Sequence, residues 1–272
     1  MAVLEQAAPE PVTRGTALGA IGAIFRRDVV VTGREFWMFL AQVLLQPLAT
    51  LFIFGRILPG IGMASGDYAK ILMPGVVVLT VVITALQSTA MPLVIEFGWT
   101  KEIEDRLLAP LPVTWVGVQK VLFAAARGVV AGIVIFPLGI WIVGAAAVHV
   151  TPANVGPIAF YTVMAALVGA TIGLTLGTLV GPQQINIMFA LILTPMLFTG
   201  CTQYPWAELG HERWFQILTL FNPMTYASEG LRAAMVPTLP HLSHLVVVPV
   251  LIASIILFGA VGLRGFQRRS VD

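Results

Sequence analysis

Long stretches without a charged side chain dominate the pattern of hydrophobic and polar positions along this chain. Residues 36–55 and 71–95 contain no Asp, Glu, Lys or Arg, and neither do residues 128–207 and 233–263. A helix of about 20 apolar residues crosses the hydrocarbon core of a bilayer, so most of these stretches are long enough for at least one crossing. The pattern predicts an integral membrane protein.

The two longest stretches contain helix breakers that divide them. The segments "HVTPANVGP" (149–157) and "GPQQ" (181–184) place proline, glycine and polar residues between apolar runs, and a loop around Pro237 and Pro240 shortens the last stretch. An all-α integral membrane protein with six transmembrane helices is therefore predicted. The six spans are 36–55, 71–95, 128–148, 158–180, 185–204 and 245–263.

The distribution of Lys and Arg predicts the orientation of these spans. With a cytoplasmic N-terminus, eleven of the 15 basic residues fall on the inner side, which follows the positive-inside rule. Both termini are then cytoplasmic. Residues 1–34 are predicted to form a tail with an interfacial helix, for which a tail without structure is the alternative. Residues 35–264 are predicted to form a single six-span transmembrane domain, and residues 265–272 a cytoplasmic C-terminal tail.

The remaining chemistry argues against an enzyme. The sequence contains no phosphate-binding G-x-x-x-x-G-K-[ST] loop, and its single cysteine, Cys201, cannot build a zinc site or an internal disulfide. We therefore expect no catalytic residue, no metal site and no cofactor on this chain, and its charge does not indicate a nucleic-acid partner. The polar groups within the spans are neutral, and Gln42, Gln46 and Gln87 are possible pathway groups. An ion-coupled secondary transporter normally keeps ionisable residues there, so this class is disfavoured.

A charged cluster interrupts the apolar pattern between the second and third spans. The segment "EFGWTKEIEDR" (96–106) carries six charges with a net negative balance, and two leucines follow it. Acids beside an apolar anchor are typical of a docking surface, whereas the alternative is a solvated loop. The predicted interface comprises Glu96, Lys101, Glu102, Glu104, Asp105, Arg106, Leu107 and Leu108.

Two further patterns concern packing and the outer side. Glycines recur at every fourth position of the fourth span, which predicts close helix packing, either static or as a sliding surface; they are Gly169, Gly173, Gly177 and Gly181. Residues 206–236 are too short for two spans and predict a re-entrant outer helical hairpin, with a surface loop as the alternative. The residues of this predicted outer gate are Asn222, Pro223, Tyr226, Glu229 and Arg232.

Three segments of the chain resemble the permease subunit of the type-2 ATP-binding cassette (ABC) exporters. Residues 34–55 contain the Gln46-Pro47 pair, residues 101–115 contain "RLLAP", and residues 197–232 end in "NPMTYASEGLR". The resemblance implies a permease dimer, formed by two copies or by close paralogues, and separate nucleotide-binding subunits that bind ATP and Mg²⁺. The charged cluster then corresponds to the coupling helix, at about 96–112, that docks on the ATPase.

The resemblance and the charge-free spans together suggest a function. We expect export of an amphipathic drug- or lipid-like compound across a prokaryotic plasma membrane, with ATP hydrolysed on partner subunits, as in drug and antibiotic exporters. A polysaccharide or lipid-linked glycan exporter is the alternative within the family. An ion-coupled transporter and a membrane anchor without transport activity are the alternatives outside it.

Overall fold

A computed structural model describes residues 36–65, 67–97, 113–144, 148 and 150–269. Within these ranges the regular structure is entirely helical. The predicted tail and interfacial helix (1–34) lie outside the described residues, as do most of the predicted coupling helix and the last three residues of the chain.

Eight helices are numbered in chain order over the described ranges. α1 (Phe36–Phe52) continues through a π-helical stretch, Ile53–Ile57, and a final turn, Leu58–Gly60. The others are α2 (Tyr68–Ile95), α3 (Val113–Val143), α4 (Pro152–Leu179), α5 (Ile185–Thr199), α6 (Arg213–Thr219), α7 (Pro223–Met235) and α8 (His244–Arg269). Short 3₁₀ helices, Pro182–Gln184 and Trp206–His211, precede α5 and α6.

Five of these helical stretches are long and apolar enough to cross a membrane. They are Phe39–Gly60, Tyr68–Ile95, Thr114–Val143, Pro152–Leu179 and His244–Arg269. The predicted fifth span is α5, which has 15 residues. At about 1.5 Å per residue it is roughly 22 Å long, shorter than the bilayer core of about 30 Å. An all-helical membrane protein is thus confirmed with five candidate spans in the described part of the chain, and the sixth remains a prediction.

The predicted and observed boundaries agree at the end of α2, where Ile95 is the last residue of both the helix and the predicted span. α3 begins at Val113, well before the charge-free stretch that starts at residue 128, so Lys120 and Arg127 both lie within the helix. α8 continues to Arg269, into the range predicted as the C-terminal tail. Helices of this length extend beyond the hydrocarbon core, where charged side chains reach water or a partner.

The core of the bundle surrounds α2. This helix is buried along most of its length and packs against α1, α3, α4 and α7, while α4 also contacts α3, α7 and α8. A helix that is apolar all round is expected at such a central position.

The glycines of α4 permit its close contact with α2. A Cβ atom at Gly169 would overlap the carbonyl oxygen of Val82, and one at Gly173 would overlap that of Leu86. At Gly177 a Cβ would lie 2.9 Å from the Cβ of Leu93. Gly181 follows the end of α4 and takes no part in this contact, so the ridge that packs against α2 ends at Gly177.

Candidate functional site

A fully buried ion pair lies on α7, where Glu229 and Arg232 are both 0% exposed. The Arg232 Nη1 donates to Glu229 Oε1. The same oxygen accepts the backbone N–H of Trp206 at 3.0 Å, and Glu229 Oε2 accepts the backbone N–H of Leu242 at 3.0 Å. The carboxylate therefore connects α7 to the start of the 3₁₀ helix before α6 and to the segment before α8.

The guanidinium of this pair binds a third stretch of backbone. Arg232 Nη2 donates to the carbonyl oxygen of Cys201 at 2.8 Å, directly after α5. Moving two charges out of water is unfavourable, and it is offset only when each is paired and hydrogen-bonded further. Here the pair has three additional backbone contacts. We call Glu229, Arg232, Cys201, Trp206 and Leu242 the outer cluster.

The backbone at Cys201 adopts an unusual conformation within this cluster. Its φ is +50°, in the left-handed region that residues with a Cβ rarely occupy. The side chain is completely buried. The hydrogen bond from Arg232 to its carbonyl oxygen holds this residue in place.

The N-terminus of α7 is fixed by Asn222. Its Oδ1 accepts the N–H of Met224 at 2.9 Å, and Pro223 occupies the first turn, so Asn222 is the N-cap of α7. The Nδ2 of Asn222 donates to the carbonyl oxygen of Met196 at 2.8 Å, on α5. The hydroxyl of Tyr226 donates to the carbonyl oxygen of Leu220 at 3.0 Å.

All five residues predicted as an outer gate thus lie at or on α7. This helix is buried from Met224 to Met235 and packs against α2, α4 and α8. Its polar side chains are directed into the protein, where they join α7 to the connections around it. That α7 enters the membrane and returns remains a prediction.

The structure brings two of the three predicted pathway groups together. Gln42 of α1 and Gln87 of α2 line one pocket of about 240 Å³, beside Thr84, Ser88 and Arg127. The guanidinium carbon of Arg127 lies 4.2 Å from the ring centroid of Phe39 in the same pocket. Gln46 is exposed on α1 and is not part of this lining.

At the C-terminal end of α2, Glu96 forms a buried ion pair. The Nζ of Lys120 lies 2.7 Å from both carboxylate oxygens, which joins the end of α2 to α3. The charge pattern alone did not single out Lys120, because its partner lies 24 residues away. The rest of the predicted coupling interface lies outside the described residues: Lys101, Glu102, Glu104, Asp105, Arg106, Leu107 and Leu108.

Comparison with known proteins connects these features to a family. Residues 19–236 match the model of the ABC-2 type transporter family. The chain is 25% identical over 228 residues to the inner membrane transport permease YadH of Escherichia coli strain K12, covering 78% of this chain and 81% of that protein. It has the same identity and coverage with YadH of Shigella flexneri. The matched region includes the outer cluster up to Arg232, the polar pocket and the Glu96–Lys120 pair.

Proposed function

The chain belongs to the ABC-2 type transporter family, and we propose that it is the permease of an exporter that moves an amphipathic, drug- or lipid-like compound out of the cell. It is a multi-pass inner-membrane protein, consistent with its apolar helices and with the printed name of its relative YadH. The family match carries this proposal, since it extends from residue 19 to residue 236.

The lack of charged residues in several spans supports an amphipathic cargo. Residues 128–207 contain no Asp, Glu, Lys or Arg, so nearly all of α4 and α5 offers only neutral surface to a passing molecule. The pocket between α1, α2 and α3 adds the guanidinium of Arg127 and glutamine, serine and threonine side chains beside apolar ones. Such a lining suits a compound with a large apolar body and a small polar part.

Energy for transport comes from partner subunits in this proposal. Membership of the family implies an ATP-binding partner. The chain itself catalyses no hydrolysis, and ATP and Mg²⁺ bind on the separate nucleotide-binding subunits. The segment from Lys101 to Leu108 docks on those subunits as the coupling helix. A second permease, either an identical copy or a paralogue, completes the pathway, and both termini face the cytoplasm.

The outer cluster acts in this scheme as the outer gate. Glu229 and Arg232 join α7 to Cys201, after α5, and to Leu242, before α8. The connections that contain these residues therefore move together with α7 as one unit. Opening the pathway to the outside then requires a concerted shift of that unit instead of the loosening of single loops. Such two-state behaviour is typical of packed interfaces in switching proteins.

Vesicle transport tests the direction and the cargo class. Inside-out vesicles that contain the chain and its ATPase should accumulate fluorescent amphipathic dyes or a fluorescent phospholipid when ATP is added, and the Leu107→Ala/Leu108→Ala variant should not. ATP-driven accumulation of a lipid-linked oligosaccharide alone would favour the glycan exporter. Accumulation driven by an imposed proton gradient without ATP would refute the proposal.

A further inference from the structure

Three side chains meet at the end of the bundle where α2 and α8 finish. Phe97 follows α2 and directly precedes residues 98–112 in the sequence. Its ring packs edge-to-face on Phe266 of α8, with ring centroids 5.5 Å apart and an interplanar angle of 70°. The guanidinium carbon of Arg269 lies 5.2 Å from the centroid of the Phe97 ring. Phe266 is completely buried, whereas Phe97 and Arg269 are half-buried.

Arg269 also binds the end of a third helix. Its Nη1 donates to the carbonyl oxygens of Gly177 and Thr178 at 3.3 Å and to that of Val180 at 3.0 Å. The last carbonyls of a helix lack partners within it, and a cation is favourable there. One side chain of α8 therefore caps α4 while it covers the aromatic ring at the end of α2.

The neighbouring contacts attach α3 to the same cluster. A Cβ at Gly117 would lie 2.8 Å from Leu263 Cδ2 and 3.7 Å from Phe266 Cδ1, so α3 and α8 pack closely at this point. The buried Glu96–Lys120 pair joins α2 to α3 one residue before Phe97. The helices on both sides of residues 98–112 are consequently fixed to α8 and, through Arg269, to α4.

We propose that Phe97, Phe266 and Arg269 form a transmission cluster, whose members are positioning residues that carry movement of the ATPase-docking segment into α4 and α8. The inference rests on the proposed function, in which the segment after Phe97 docks on the ATPase. Edge-to-face aromatic and cation–π contacts depend on geometry. A displacement of Phe97 therefore also shifts Arg269 relative to the three carbonyls of α4.

The matched pair Arg269→Gln and Arg268→Gln isolates this role, because both remove one positive charge from the end of α8. Arg268 is exposed, whereas Arg269 makes the contacts described above. Each variant is purified in a Cys201→Ser background with its co-purifying ATPase, and spin labels are attached to cysteines at the exposed positions 61 and 211. The distance between the labels is measured without nucleotide and after trapping with ATP and vanadate.

In the wild-type complex and in Arg268→Gln, trapping should shift the distance distribution. In Arg269→Gln the ATPase should remain bound and hydrolyse ATP at its basal rate. The change that trapping makes in the equilibrium constant between the two label distances should fall at least about fivefold, the lower end of typical coupling between sites. Arg269→Lys, which keeps a cation at this point, should recover part of the shift. Phe97→Leu keeps an apolar contact but removes the ring, and it should lose the shift in the same way.

The possible outcomes distinguish failure of the transmission cluster from failure of the proposed function. A normal shift in both Arg269→Gln and Phe97→Leu overturns the transmission cluster and leaves the proposed function intact. Loss of ATPase binding in both variants also overturns it, since the residues would then serve docking. If Arg269→Gln does not fold, the label distances of Phe97→Leu, measured in the same way, test the proposal. A wild-type chain that binds no ATPase, or whose labels do not respond to trapping, contradicts the proposed function itself.

Discussion

Substitution of the buried arginine Arg232 tests how strongly the outer cluster is held together. In Arg232→Met the side chain keeps its bulk, but the Glu229 carboxylate is left buried without its cation and the Cys201 carbonyl loses its donor. Removing one partner of a buried ion pair typically costs about 3–5 kcal/mol. We expect the local opening of this cluster to become easier by about that amount.

Cys201 provides the measurement, because it is the only cysteine of the chain and lies within the outer cluster. A maleimide reaches the buried thiol only when the cluster opens. Since each 1.4 kcal/mol is a factor of ten, labelling of Arg232→Met should be faster than that of wild type by roughly 10²-fold to more than 10³-fold. Arg213→Met is the matched control, because Arg213 is exposed at the start of α6.

A double variant separates charge burial from loss of packing. In Glu229→Gln/Arg232→Met no charge is left buried, and the amide oxygen still accepts one of the N–H groups of Trp206 and Leu242. Its Cys201 should therefore label more slowly than that of Arg232→Met alone, which is the non-additivity expected of contacting residues. Equal labelling rates in Arg232→Met, Arg213→Met and wild type would refute the reasoning.

Three further predictions concern packing, topology and coupling. Gly173→Leu inserts a side chain where α2 and α4 touch and should lower stability by roughly 1–3 kcal/mol in denaturation of the detergent-solubilised protein. Gly156→Leu, on an open part of the same helix, should have little effect, and equal stabilities would contradict the close contact. In a Cys201→Ser background, cysteines at positions 104 and 270 should resist an impermeant thiol reagent in intact cells, whereas a cysteine at position 211 should react. Labelling of position 104 from outside the cell would show that the orientation is the reverse of the predicted one. Glu104→Lys/Asp105→Lys should weaken ATPase binding more at low salt than at high salt, because salt screens exposed charges. Unchanged binding would indicate that the segment is only a solvated loop.

The sequence located the long central spans well because the bilayer sets a minimum apolar length. The charge-free stretch 71–95 corresponds to α2, and 245–263 lies within α8. α3 begins before the predicted span because Lys120 is accommodated inside the helix by Glu96. Charged residues mark the edge of the membrane and carry little information about where a helix begins.

The contacts of the outer cluster are only partly encoded in residue types. The spacing of Glu229 and Arg232 places them on one helix face, and Asn222-Pro223 marks the helix start. Their further partners are the carbonyl of Cys201 and the N–H groups of Trp206 and Leu242. Every residue carries a backbone carbonyl, and every residue except proline carries a backbone N–H. The residue type therefore does not identify these partners. The contact of Arg269 with Phe97 and with the end of α4 was missed for the same reason, since it depends on tertiary packing.

Co-purification tests most directly the central claim that this permease is powered by a separate ATPase. The tagged chain is isolated in mild detergent from its native membrane, together with Leu107→Ala/Leu108→Ala as a variant of the docking segment. We expect a nucleotide-binding subunit to accompany the wild-type chain and to be lost from the variant, because truncating a buried anchor costs about 2 kcal/mol or more. Recovery of the wild-type chain without any ATP-binding subunit would contradict the account.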